Sequence, residues 1–185
     1  MPSHTRRPQR FSLDLSQLEG NFRGAQMRTH PDLSAALPPS ARASAAAASS
    51  ALNVAYRALR DPLQRAQHLL ELQGLDALGE TAGSKHVPPQ LLEEVMEARE
   101  AVSAAATTLP ELLALQRWSA GAAAQCERDL GAAFDAGKGQ LACDITVALS
   151  YYLKIAAEAG EAVEARGAAS AGGGAGAPAR QGAER

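Results

Sequence analysis

The chain has 185 residues, 46% of them hydrophobic but only 4% aromatic, with a formal net charge of −2 and a pI near 6.1. That length holds one ordinary domain or two small ones, and so few rings leave Leu, Val and Ala to build a core of closely packed helices. The near-neutral balance gives no general pull toward nucleic acid or an anionic membrane; no apolar run approaches the ~20 residues of a membrane span, so neither is expected as a partner.

Residues 1–10 carry Arg6, Arg7 and Arg10 without apolar periodicity and read as a disordered segment or a targeting remnant. From Asp14 to Thr29, Leu15, Leu18, Phe22, Ala25 and Thr29 recur at helical spacing. Pro31 ends that helix, because the residue before a proline disfavours the α region. After Pro38 and Pro39, Ser40 is placed to cap a second helix with the stripe Ala45, Ala48, Leu52, Ala55 and Leu59, which stops before Pro62. The pair reads as an antiparallel hairpin with His30, Pro31 and Asp32 at its tip. A short third helix carries Leu63, Ala66, Leu69 and Leu70 and stops at Gly74.

Residues 75–89, ending in Pro88 and Pro89, read as a linker. Three helices are expected beyond it, over about 90–106, 110–134 and 140–165, broken between the last two by Gly137 and Gly139. The middle one aligns Leu112, Leu115, Ala122, Cys126 and Leu130; the last aligns Leu141, Ile145, Ala148, Tyr152, Ile155 and Ala159. The Gly- and Ala-rich residues 167–185 cannot form a core and read as a disordered tail. No segment has the bounded alternation of a hairpin strand, so the fold class is all-α.

Little here can carry covalent chemistry. Cys126 and Cys143 are too few and too far apart for a disulfide framework or a zinc site, and Cys126 falls in an apolar stripe. His4, His30, His68 and His86 are scattered, and no nucleophile–base spacing or phosphate loop is present. No enzyme activity, metal or cofactor is expected.

As a bare tripeptide, His30-Pro31-Asp32 can equally be a helix stop, with proline to break and aspartate to stabilise the turn. Its context is more specific. A preceding helix with Phe22 and the following SSALNVAYRALRDPLQRAQHLLELQG resemble the J-domain of DnaJ-type co-chaperones. Asn53, Ala55, Tyr56, Leu59, Asp61, Pro62, Arg65, Ala66, Leu69 and Leu70 resemble the pattern of the HscB/Jac type, the J-proteins of iron–sulfur cluster assembly. QLLEEVMEAREAV, residues 90–102, is similar to the opening of that family's C-terminal helical domain. Three motifs in the family's order span roughly residues 11–160.

The resemblance implies a J-domain over 11–74 and a three-helix scaffold-binding domain over 90–166. His30, Pro31 and Asp32, with Arg23 and Arg28 on the helix before them, would contact a DnaK-type chaperone and stimulate its ATP hydrolysis. The C-terminal domain would hold an IscU-type cluster scaffold and deliver it. On the helix from residue 90, Leu91, Val95, Ala98 and Val102 form one stripe, with Leu92 and Met96 about 100° round from it and Glu93, Glu97 and Glu100 farther on. Leu92, Met96, Glu97, Glu100 and the off-stripe Tyr151 are the expected scaffold contacts, although periodicity alone fits a broad core equally well.

Family members carry a further J-domain helix ahead of the segment equivalent to residues 11–14, and the ten residues before Phe11 contain none of it. Leu33 stands where a lysine often follows the tripeptide, and Gly24 costs its helix about 1 kcal/mol relative to Ala. These departures leave a rival reading: a structural helical protein with a degenerate J-domain, binding the scaffold without stimulating the chaperone. Eukaryotic members work in the mitochondrial matrix and bacterial ones in the cytoplasm. The basic, acid-free first thirteen residues and the Ala/Gly-rich tail lean to the matrix.

Overall fold

The computed structural model describes residues 10–29, 38–79, 88–104 and 106–172. Among them are six α-helices and no strand: α1 Leu15–Thr29, α2 Pro39–Arg60, α3 Pro62–Leu72, α4 Pro89–Ser103, α5 Leu109–Asp135 and α6 Gly139–Gly172. Two compact units result. The first combines residues 10–79 with Gln125–Ser150; the second combines Pro88–Ala124 with residues 151–172. The units are therefore not contiguous in sequence, as a division at a 75–89 linker would make them, because α5 and α6 each give one half to each unit.

In the first unit Asp14 caps α1, its carboxylate accepting from the backbone N–H of Ser16 at 2.9 Å and Gln17 at 3.0 Å. Phe22 stacks on Tyr56 with ring centroids 4.0 Å apart, and Gln26 donates to Asn53 at 3.4 Å. Residue numbers rise along α1 as they fall along α2, so the two helices form an antiparallel hairpin. Pro38, not Ser40, is the N-cap of α2; Ser40 lies inside the helix, where its carbonyl accepts from Ser44. The ring stack sets which face of α2 meets α1. Ala48 and Ala55 of the expected stripe are exposed, and no residue of this helix is fully buried.

The elbow into α3 is tightly specified. Asp61 accepts from Gln64 N–H at 3.0 Å while Pro62 fills the first helical position, where no N–H is needed. Arg65, only 7% exposed, turns back and donates to the Leu59 carbonyl at 2.5 Å, and its guanidinium lies 4.6 Å from the Phe11 ring centroid. Phe11, 2% exposed, also stacks on Phe134 of α5 at 5.6 Å. Desolvation lowers the Arg65 pKa, opposed by the charges of Glu127 and Asp61. The rest of this core includes Ala66, Leu69, Leu70, Leu130, Ala142, Thr146 and Leu149.

α3 and α5 end alike. Leu75 N–H returns to the Leu70 carbonyl and Lys138 N–H to that of Ala133, each at 2.9 Å. Gly74 and Gly137 supply the positive φ, 75° and 66°, that such a cap demands. The first residues of the expected linker belong to the packed unit: Ala77 is buried, and Asp76 accepts from the N–H groups of Leu78 and Gly79.

The second unit is a three-helix bundle. Tyr152 donates to Glu94, Arg99 pairs with Glu158, and Arg166 donates to the Ala104 carbonyl, so α4 and α6 run parallel. Trp118 of α5 meets Tyr152 edge-on at 5.6 Å. Glu111 reaches back to the start of α5: its carboxylate accepts from both the Thr108 N–H and the Thr108 hydroxyl, which lowers its pKa. Leu91, Val95 and Ala98 are buried as their spacing requires. On α6 the expected stripe shifts: Leu141 is exposed, while Thr146 is buried and bonded to the Ala142 carbonyl. That helix also runs through Gly172, past the 167 boundary expected for a disordered tail.

Phe11→Ala removes the ring shared by Arg65 and Phe134 and should destabilise the protein by about 3 kcal/mol, read as a lower urea midpoint; Phe11→Leu should recover part of it. Burial pushes the Cys126 and Cys143 thiols up, with Asp129 and Asp144 adding to the effect. The folded chain therefore holds these protons more tightly than the unfolded chain, and that stability is complete below the unfolded thiol pKa and lost as pH rises through the folded value. Between about pH 8 and pH 10 the urea midpoint should fall further for the parent than for Cys126→Ala/Cys143→Ala.

Candidate functional site

Two separate surfaces collect the residues singled out in the sequence. The first is on the α1–α2 hairpin. His30, Pro31 and Asp32 lie outside the described residues, in the connection between the two antiparallel helices. Arg23 is exposed and donates to Glu19 one turn earlier at 2.5 Å, so part of its charge is answered within α1. Arg28 occupies the last turn, where a cation suits the carbonyl end of the helix, and its guanidinium folds back beside Gly24. Five residues separate the two arginines, which puts them about 140° apart around the axis. Taking Phe22 as the inward direction, Arg23 lies on the Gln26 flank and Arg28 on the opposite one.

The second surface is on α4 and α6. Leu92 and Met96 are 45% and 56% exposed, one turn apart, beside the buried Leu91–Val95–Ala98 stripe. Glu97 and Glu100 are exposed on the far side of that pair, Glu100 only about 40° round from Met96. Arg99 completes the row, about two turns beyond Leu92 and within about 20° of its direction; its Nε lies 3.3 Å from Glu158 Oε2. That ion pair locates Tyr151. On α6 the directions of Tyr151 and Glu158 differ by only about 20°, whereas Tyr152 points to Glu94 and Trp118. The half-buried Tyr151 therefore shares the Arg99–Glu158 side, the side of Leu92 and Met96.

The result is an apolar centre of Leu92, Met96 and Tyr151 with a charged margin, the anatomy of a protein-binding patch. Arg99 and Glu158 were not singled out in the sequence. Their spacing of 59 residues carries no local signal; only the parallel packing of α4 and α6 makes them partners.

The family model described as the HSCB C-terminal oligomerisation domain matches residues 87–160. The co-chaperone protein HscB homolog of Burkholderia multivorans is 35% identical over 162 residues, covering 85% of this chain and 90% of its own. Among solved structures, chaperone HscB from Vibrio cholerae superposes with a TM-score of 0.72 at 31% identity, covering 86% of this chain and 93% of that one. Human co-chaperone HscB, at 21% identity, shares the fold with a TM-score of 0.74 over 90% of this chain and 84% of its own. With a two-unit helical fold, a J-type hairpin and relatives matched over most of their length, the chain belongs to the HscB family, the co-chaperones of iron–sulfur cluster assembly.

Proposed function

We propose that the protein stimulates ATP hydrolysis by a DnaK-type chaperone and delivers an IscU-type scaffold to it, so that the cluster can be assembled and passed on. The observation that carries this reading is the exposed Leu92–Met96 row with Tyr151 on the same side, on a unit distinct from the hairpin that bears His-Pro-Asp. Two large apolar side chains, each about half exposed, have no packing reason to sit beside a stripe that already buries Leu91, Val95 and Ala98. A partner that covers them gains apolar area, and Glu97 and Glu100 supply the rim that sets its orientation.

On the hairpin side, His30 and Asp32 offer an imidazole and a carboxylate, and Pro31 between them fixes one backbone angle. Such a loop can present a charged acceptor to an arginine of the chaperone without a large ordering cost. The co-chaperone holds no nucleotide itself in this scheme; it supplies contacts that favour the hydrolysing state of its partner. The compartment is the bacterial cytoplasm or, as a second reading, the mitochondrial matrix. Bacterial relatives matched over 85% or more of the chain stand at 31–35% identity and the human structure at 21%, which favours the first, although the composition of the chain ends leans to the second.

Two measurements test the halves separately. His30→Gln should reduce single-turnover ATPase stimulation to the basal rate with the circular dichroism unchanged; stimulation at the parent level would remove the J-domain reading. Leu92→Ser/Met96→Ser/Tyr151→Ala should weaken scaffold binding by more than about tenfold in calorimetry, the loss expected when an apolar centre is removed. Parent affinity in that variant would return the three residues to core packing, and scaffold binding by a parent chain that gives no stimulation would establish the degenerate-J-domain rival.

A further inference from the structure

Two contacts between α4 and α6 sit on opposite flanks of the stripe that α4 buries. Arg99 stands about 40° round from Val95 on one side, and Glu94 about 40° beyond Ala98 on the other. Glu94 accepts from Tyr152 at 3.1 Å. Glu158 meets Arg99 side-on, with Nη2 to Oε1 and Nε to Oε2 both at 3.3 Å, so that one edge of the guanidinium spans both carboxylate oxygens. With side chains 52% and 28% exposed, such a pair adds little to stability. Nor is it ordinary pairing along a helix surface. Val95, Met96, Val102 and Ser103 give Arg99 no acid one turn away on α4. Glu158 takes Arg99 although Lys154 stands one turn before it on α6. The Glu94–Tyr152 bond by itself would leave α6 free to roll, whereas a second tie about 120° away around that helix removes the freedom. Tyr151 lies on the flank that the second tie holds.

We propose that Arg99 and Glu158 are positioning residues of the Leu92–Met96–Tyr151 patch. Their fork holds α6 at the roll that sets the Tyr151 ring on the side of the two exposed apolar side chains of α4. The patch is thereby ordered before a partner arrives, and docking does not have to fix the helix as well. Arg99 and Glu158 act through Tyr151 and not by touching the partner. That the partner is the cluster scaffold rests on the function proposed above; the roll of α6 rests on the ion pair alone.

The roll is read first without any partner, by fluorine NMR of the full chain labelled with fluorotyrosine. Tyr56, Tyr151 and Tyr152 are its three tyrosines, and single Tyr→Phe variants assign their resonances. Glu158→Gln should shift the Tyr151 resonance and leave that of Tyr56, in the other unit, in place. Arg99→Lys should shift it too, because an ammonium keeps the charge and loses the fork. Arg99→Glu/Glu158→Arg rebuilds the fork in reverse and should bring the resonance back toward its parent position. The second arm is calorimetry with an IscU-type scaffold. Glu158→Gln should weaken binding at least about fivefold with the urea midpoint unchanged, and the reversed pair should restore it. In a Tyr151→Ala background the same substitution should change the affinity less than about twofold, since the ring it positions is gone. An unmoved Tyr151 resonance, a loss that adds in full to that of Tyr151→Ala, or a reversed pair that restores nothing overturns the positioning role. A parent chain that binds no scaffold, yet shows the Tyr151 shift and its recovery, defeats the function proposed above and leaves the positioning role standing.

Discussion

The first unit depends on one buried cation. Taking a guanidinium out of water costs several kcal/mol, and Arg65 is 93% removed from it, taking the complement of its 7% exposure. The offset comes from neighbours supplied by four parts of the chain. The Leu59 carbonyl, one of the acceptors that α2 leaves unsatisfied where Pro62 interrupts it, accepts a hydrogen bond from Arg65 Nη1. The Phe11 ring lies under the charge, and Glu127 and Asp61 supply opposite charge. One side chain thus closes the end of a helix, fixes the elbow between α2 and α3, and anchors the segment ahead of α1. Among the described residues the buried Nε has no partner, so the arrangement is not fully satisfied, and the cost of moving any one neighbour is correspondingly high. Holding the elbow also holds Tyr56, one turn before Arg60, against Phe22, and that stack decides which flank of the hairpin carries which arginines.

Where sequence punctuation had a physical cause, the elements could be read directly. Proline at 31 and 62 and glycine at 74 and 137 act through backbone geometry alone, so the number and order of helices followed from them. Faces were harder wherever alanine filled several at once. In α2, Ala45, Ala48 and Ala55 look alike by periodicity, yet the last two are exposed, because a methyl group contributes little and the nearby rings decide the rotation. Buried hydroxyls carry no apolar signal at all. Thr146 and Ser119 are fully buried because each bonds a carbonyl within its own helix, which removes most of the cost that a polar residue would otherwise carry. The run past Gly167 in α6 shows alanine acting again: composition reads as disorder, while helix propensity and the Arg166 bond to Ala104 extend the helix through Gly172.

The two candidate surfaces were legible to different depths. The offset of Leu92 and Met96 from the buried stripe is a property of one helix, and its exposure agrees with the spacing. The side on which Tyr151 stands is a property of two helices and needed the Arg99–Glu158 pair to fix the rotation of α6 against α4. The face that α1 and α2 share required more still, since Gln26 and Asn53, which meet there, are 27 residues apart in sequence. Local pattern finds what one element presents; what two elements enclose is set by packing.

An overall charge of −2 conceals a strong separation of sign. Between Arg10 and Leu72 there are seven arginines against five acids, whereas α4 carries four glutamates against one arginine. Each surface therefore sees a local field set by its own element, because beyond about 8 Å the opposing charges are screened. A partner suited to the basic hairpin is repelled by the Glu97–Glu100 rim, and a basic partner suited to that rim is repelled by the hairpin. Under the function proposed above, in which two different macromolecules are held at once, that repulsion has a use, since discrimination is a difference of affinities and a misplaced partner is rejected by like charge. The nearly neutral total is then a consequence of carrying two opposite addresses, not of lacking electrostatic preference.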